Sequence, residues 1–149
     1  MALRFSVYRG HEVRLCGHLI LSVRVEISAG PGDGSVLMPL ATQVAAALGL
    51  LGVALGAFGA HGLKDLLLAN GRLDVWQTAV LYQLVHAVAS LWAAGRHPTV
   101  VWIWTAGVII FSGSLYLLAV TNIKWLGAIT PIGGLLFLAG WLMIAIKPQ

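Results

Sequence analysis

Residues 40–63 read LATQVAAALGLLGVALGAFGAHGL, with no Asp, Glu, Lys or Arg in the run. A helix rises about 1.5 Å per residue, so this stretch can cross a hydrocarbon core of about 30 Å. A secretory leader is the weaker reading, because the apolar run exceeds a leader's core and no basic segment separates it from Met38. Three further runs follow, at about 75–95, 99–120 and 125–146, punctuated by polar turns at Lys64–Asp74, Arg96-His97-Pro98 and Thr121–Lys124. The prediction is an all-α membrane protein, a compact bundle of about four transmembrane helices with short loops. Composition agrees: 59% hydrophobic and 9% charged residues in 149 positions are too apolar for a water-soluble fold of this size.

The formal charge of +4 does not indicate nucleic acid. Arg4, Arg9, Arg14 and Arg24 lie before the bundle, and the other basic residues sit between or beyond apolar runs, where they act as topology signals. The expected partners are the lipid bilayer and a second copy or another membrane protein. Counting all basic residues places both termini in the cytoplasm; counted from Met38, the bias disappears. Residues 1–37 differ in character, with closely spaced charges and a Gly30-Pro31-Gly32-Asp33-Gly34 turn. We expect Met38 to be the natural start, preceded by a disordered tail or an upstream extension. Cys16 is the only cysteine, which excludes an intrachain disulfide.

Lipid gives helices little hydrophobic reason to associate, so close backbone approach and polar contacts must specify the packing. Gly49, Gly52, Gly56 and Gly59 recur at spacings of three and four along the first run, with Ala45 and Ala60 extending the stripe. Gly133 and Gly134, with Gly127 and Gly140, are the corresponding small residues of the last run, and Pro131 is expected to bend its first turns. Trp76, Trp92, Trp102, Trp125 and Trp141 fall near run ends and are expected to anchor at the headgroup layer.

The second run carries Gln83, His86 and Ser90 on one helical face. That face must turn inward, toward partners such as Ser112, Ser114 or Tyr116 on the third run. An interhelical hydrogen-bond clamp is the simpler reading of this cluster. A ligand or proton-relay site at His86 is the sharper one, weakened because no intramembrane carboxylate accompanies the histidine. His61 and His86 could in principle share a metal or haem, but their depths differ by roughly 16 Å in antiparallel neighbours, so neither metal nor other cofactor is expected. The sequence has no phosphate-binding glycine loop, paired intramembrane carboxylates or His-Glu-x-x-His. Ser112-Gly113-Ser114 with His86 is a remote dyad, unsupported by any oxyanion motif, and no catalytic residue is assigned.

Several ordered motifs carry a resemblance: Gly56-Ala57-Phe58-Gly59-Ala60-His61-Gly62-Leu63, Trp76-Gln77-Thr78-Ala79, Tyr82-Gln83 with His86-Ala87, Phe111-Ser112-Gly113-Ser114-Leu115-Tyr116, Trp125-Leu126-Gly127 and Thr130-Pro131-Ile132-Gly133-Gly134. From about Met38 to Ile146 the chain resembles the small membrane family known as domain of unknown function 423, which includes bacterial inner-membrane proteins and the eukaryotic transmembrane protein 256. The resemblance implies a multi-span helical membrane protein with no established reaction; the bacterial plasma membrane is the expected location, although the sequence does not distinguish it from an organelle membrane. Asn122 stands where a glycine is expected before the tryptophan motif. We expect a non-enzymatic structural or assembly component. The alternative is a carrier or binding protein for a small or lipophilic ligand, with the cluster around His86 as its polar site.

Overall fold

The structure, a computed structural model, describes residues 39–146. The expected extension over 1–37, the start at Met38 and the Lys147-Pro148 end of the last run lie outside the described residues.

Among the described residues there are five α-helices and no strand. The helices are α1 (Leu40–Ala60), α2 (Lys64–Ala69), α3 (Leu73–Ala93), α4 (Pro98–Thr121) and α5 (Thr130–Ile146), with a 3-10 turn at Lys124–Ala128 ahead of α5. The stretches Leu40–Ala60, Pro98–Thr121 and Lys124–Ile146 are long and apolar enough to cross a membrane. Helix α3 matches α1 in length at 21 residues. It is less apolar because it carries Gln77, Tyr82, Gln83, His86 and Ser90.

The four long helices pack in chain order, each antiparallel to the one before. Gly49 lies against Ala87, Gly52 against Leu84, Gly56 against Val80 and Gly59 against Trp76, so α3 descends as α1 rises. Helix α4 reverses again, bringing Ser112 to Ala79 and Tyr116 to Trp76. Helix α5 then runs down α4, with Gly133 at Phe111, Phe137 at Gly107 and Gly140 at Trp104. The exterior is apolar: Leu50 is 73% exposed, Val88 67% and Ile109 65%. Faces of that kind in water would aggregate, whereas in hydrocarbon they are solvated.

Three local expectations need correction. The connection after α1 is not a plain polar loop, because Lys64–Ala69 winds into a short helix that buries Leu67 completely. It ends in a Schellman motif, with Gly71 at φ 62°, Gly71 N–H on the Leu68 carbonyl and Arg72 N–H on the Leu67 carbonyl. Pro131 does not bend a helix already under way: α5 begins at Thr130, so the proline occupies the first turn, where no backbone donor is required. Trp76 is not an interfacial anchor, since it is 4% exposed and its indole N–H donates to the Leu55 carbonyl at 3.0 Å. Trp92, Trp102 and Trp125 are exposed.

The end of α4 explains the unexpected Asn122. This residue caps the helix in the left-handed region at φ 55°, which glycine and asparagine enter most readily. Its Oδ1 accepts from Arg72 Nε, while Asn70 Nδ2 donates to the Ala119 and Val120 carbonyls that the helix end leaves without helical donors. Asn122→Ala is expected to destabilise the bundle by about 1 kcal/mol, because a Cβ without a compensating polar group resists that backbone. Asn122→Gly should stay near the parent. Thermal melts in detergent of the two variants check this, and an alanine variant as stable as the parent would count against the strain.

Candidate functional site

The polar residues of α3 meet α1 on one side and α4 and α5 on the other. Gln83, 3% exposed, donates from Nε2 to the Leu48 carbonyl at 2.9 Å and accepts the Tyr116 hydroxyl on Oε1 at 3.0 Å, linking three helices through one amide. Ser112 is fully buried and donates to the Ala79 carbonyl at 2.8 Å. Each acceptor carbonyl already closes a helical turn and uses its second lone pair for the side chain.

His86 is 4% exposed and engaged at both nitrogens. Trp141 Nε1 lies 3.2 Å from its Nε2, and the Tyr82 carbonyl lies 2.8 Å from its Nδ1. An indole can only donate and a carbonyl can only accept, so the ring is a neutral imidazole with its proton on Nδ1. Phe137 stacks on it at 3.6 Å between centroids with 12° between planes, and Trp104 meets it edge-on at 5.7 Å. The imidazole is held as a packed, fully bonded ring. Its one ring lone pair is taken up by the Trp141 N–H.

The residues singled out in the sequence are therefore divided among several environments. Gln83 and Tyr116 pair as expected, but Ser112 reaches backbone instead of a polar side chain of α3. Ser114 faces away from α3: its hydroxyl lies 2.8 Å from the Thr130 Oγ1 and donates to the Phe111 carbonyl, so it joins α4 to α5. Ser90 is fully buried, and its Oγ has no hydrogen-bond partner among the described residues. His61 is exposed at the end of α1, level with the Trp76 turn. His86 lies ten residues further along α3, roughly 15 Å away, so the two imidazoles do not meet. Ser112 and His86 likewise have separate partners and form no dyad.

The glycines also divide. A Cβ on Gly59 would run into the Trp76 indole, one on Gly52 would meet Leu84 Cδ2 at 2.7 Å, and one on Gly133 would meet the Phe111 backbone nitrogen at 2.5 Å. Gly56 is tighter than average against Val80 at 3.3 Å, while Gly49 and Gly134 have nothing closer than 3.9 Å. The close-packing role expected for those last two is not required by their surroundings. Sequence reasoning gave no part to Trp104 or Gly107. Trp104 is fully buried, its N–H donates to the Phe137 carbonyl at 3.2 Å, and its indole fills the notch left by Gly140. This repeats the device of Trp76, Gly59 and the Leu55 carbonyl, so each outer helix pair is locked by one tryptophan in one glycine notch.

A family model described as "Protein of unknown function (DUF423)" matches residues 55–134, the segment that holds the Trp76 lock and the Gln83–His86 cluster. The chain belongs to this family. The chain is 45% identical over 106 residues to UPF0382 membrane protein YwdK of Bacillus subtilis (strain 168), covering 65% of this chain and 85% of that protein. It is also 45% identical over 112 residues to UPF0382 membrane protein SH2409 of Staphylococcus haemolyticus, covering 66% and 85%, respectively. UPF0382 membrane protein SSP2132 of Staphylococcus saprophyticus is 46% identical over 104 residues, with 65% and 86% covered. No solved structure matches the chain. The DUF423 membership and the apolar helices together make this an all-α membrane protein of a family without an assigned activity.

Proposed function

We propose that this protein is a non-enzymatic structural component of the bacterial plasma membrane, one that assembles through its lipid-facing helices with a second copy or with another membrane protein. One observation carries the reading. Four intramembrane polar groups, Gln83, His86, Ser112 and Tyr116, are held by bonds to one another, to backbone carbonyls and to Trp141. A clamp of this kind fixes the relative positions of four helices. It leaves no base beside a nucleophile among these four side chains. The bacterial membrane is supported by the Bacillus and Staphylococcus relatives, which are named as membrane proteins. Both termini on the cytoplasmic side is the orientation favoured by the basic residues of the full sequence.

Site-specific photo-crosslinking in cells tests the assembly. A benzophenone side chain at Leu50 on α1 or Ile109 on α4 is expected to give a discrete protein adduct from at least one position. Adducts to lipid alone at both positions, together with a monomer by native mass spectrometry from nanodiscs, would reject it.

A further inference from the structure

Helices α3 and α5 meet through side chains such as His86 and Phe137, and beside that contact lies a groove of about 440 Å³. Its lining includes Tyr82, His86, Phe111, Gly134, Phe137 and Trp141. We propose that this groove binds a membrane-dissolved molecule with a planar ring bearing an acceptor oxygen, a lipophilic ring ketone of the quinone kind.

Three independent observations carry this assignment. The first is aromatic: Tyr82 lies 4.6 Å from Phe111 and 6.0 Å from Phe137 between centroids, so the groove is walled by ring faces and edges that accept another flat ring. The second is a hydroxyl in the wrong solvent. Tyr82 is 41% exposed, and its phenol makes no hydrogen bond to any described residue, although the other polar side chains around it are paired. Nine residues into α3, it sits roughly 14 Å from the Leu73 end of the helix, near the middle of a hydrocarbon layer. Neither water nor a lipid headgroup is at that depth to accept its proton. A ring carbonyl dissolved in the acyl region is.

The third observation is Gly134. Its neighbour Gly133 is pressed against the Phe111 backbone and must lack a side chain, but a Cβ at Gly134 would touch only the Phe111 ring at 3.9 Å. Packing does not demand glycine there, and the missing side chain leaves the groove floor open. The bound ring would lie against Phe137 and Tyr82 with its oxygen on the Tyr82 hydroxyl. An apolar tail would follow Leu135 and Leu138, which are 65% and 66% exposed to the acyl chains. His86 and Trp141 are already bonded to each other; they hold the Phe137 wall in place and make no contact with the ligand oxygen.

The test is a titration of the full-length protein in nanodiscs with decylubiquinone, read by quenching of tryptophan fluorescence. The parent is expected to saturate. Tyr82→Phe, which removes one oxygen, should weaken binding about tenfold, the worth of one hydrogen bond in an apolar site. Gly134→Leu, which fills the floor, should abolish saturation while melting like the parent. Unsaturable quenching of the parent would overturn the assignment. So would equal affinity in the parent and Tyr82→Phe, because an ordinary acyl chain filling the groove has no use for the hydroxyl.

Discussion

Replacing Gly133 by alanine is expected to cost about 2–3 kcal/mol, the upper range for overpacking a close contact. For a bundle of this size that lowers the melting midpoint in detergent by on the order of 10 °C. The added methyl would lie 2.5 Å from the Phe111 nitrogen, 2.7 Å from its Cβ and 2.8 Å from its Cα. None of these atoms is the far end of a flexible side chain, so relief requires α5 to retreat from α4. That retreat would also loosen Phe137 over Gly107 and lengthen the bond between Ser114 and Thr130. Gly134→Ala is the internal control. It adds the same methyl one residue along, into ordinary contact distance, and removes a helix-interior glycine that costs about 1 kcal/mol relative to alanine. It should melt at or slightly above the parent. Equal melting of the two variants would show that the α4–α5 contact is not as close as the geometry states.

The contrast between these adjacent glycines marks where the sequence stops being readable. The fold class is legible because charge-free runs of membrane length rarely occur in folds that live in water, and the polar face of Gln83, His86 and Ser90 is legible because helical spacing puts them together. Which neighbour covers a face is not contained in the spacing. In water the solvent-facing and core-facing sides of a helix would differ in polarity, but in a bilayer both are apolar, so the usual periodic signal is missing. Trp102 and Trp104 illustrate this. They stand two positions apart on almost opposite sides of α4, one 47% exposed and the other fully buried, and nothing in their immediate sequence separates them. Similarly, Ser114 could be placed on α4 but not directed toward Thr130 rather than α3, and His86 could be turned inward without its donor on α5 being identified. Asn122 was legible in part: its departure from glycine marks a backbone position that still requires a left-handed φ.

The tryptophan locks are expected to produce the strongest energetic coupling in the molecule. Trp104→Ala removes a fully buried indole and its bond to the Phe137 carbonyl, and should cost about 3–5 kcal/mol, as for other large aromatic truncations. Gly140→Ala in the parent should also be severe, because its methyl would occupy the space of the Trp104 indole nitrogen. In the Trp104→Ala background that space is empty. The same glycine change should then cost little, and the methyl could recover part of the lost contact. A double-mutant cycle measured by reversible unfolding in mixed micelles should therefore give a coupling of about 2 kcal/mol, well above the scatter for independent sites. Additive effects would mean that Gly140 is small for some reason other than this indole. The Trp76 and Gly59 pair should couple similarly, since a Cβ there meets the same atom of the indole and the donor goes to the Leu55 carbonyl. Crossed pairs, Trp104 with Gly59 or Trp76 with Gly140, share no contact and should add independently. That pattern separates two local locks from a general sensitivity of the bundle to lost glycines.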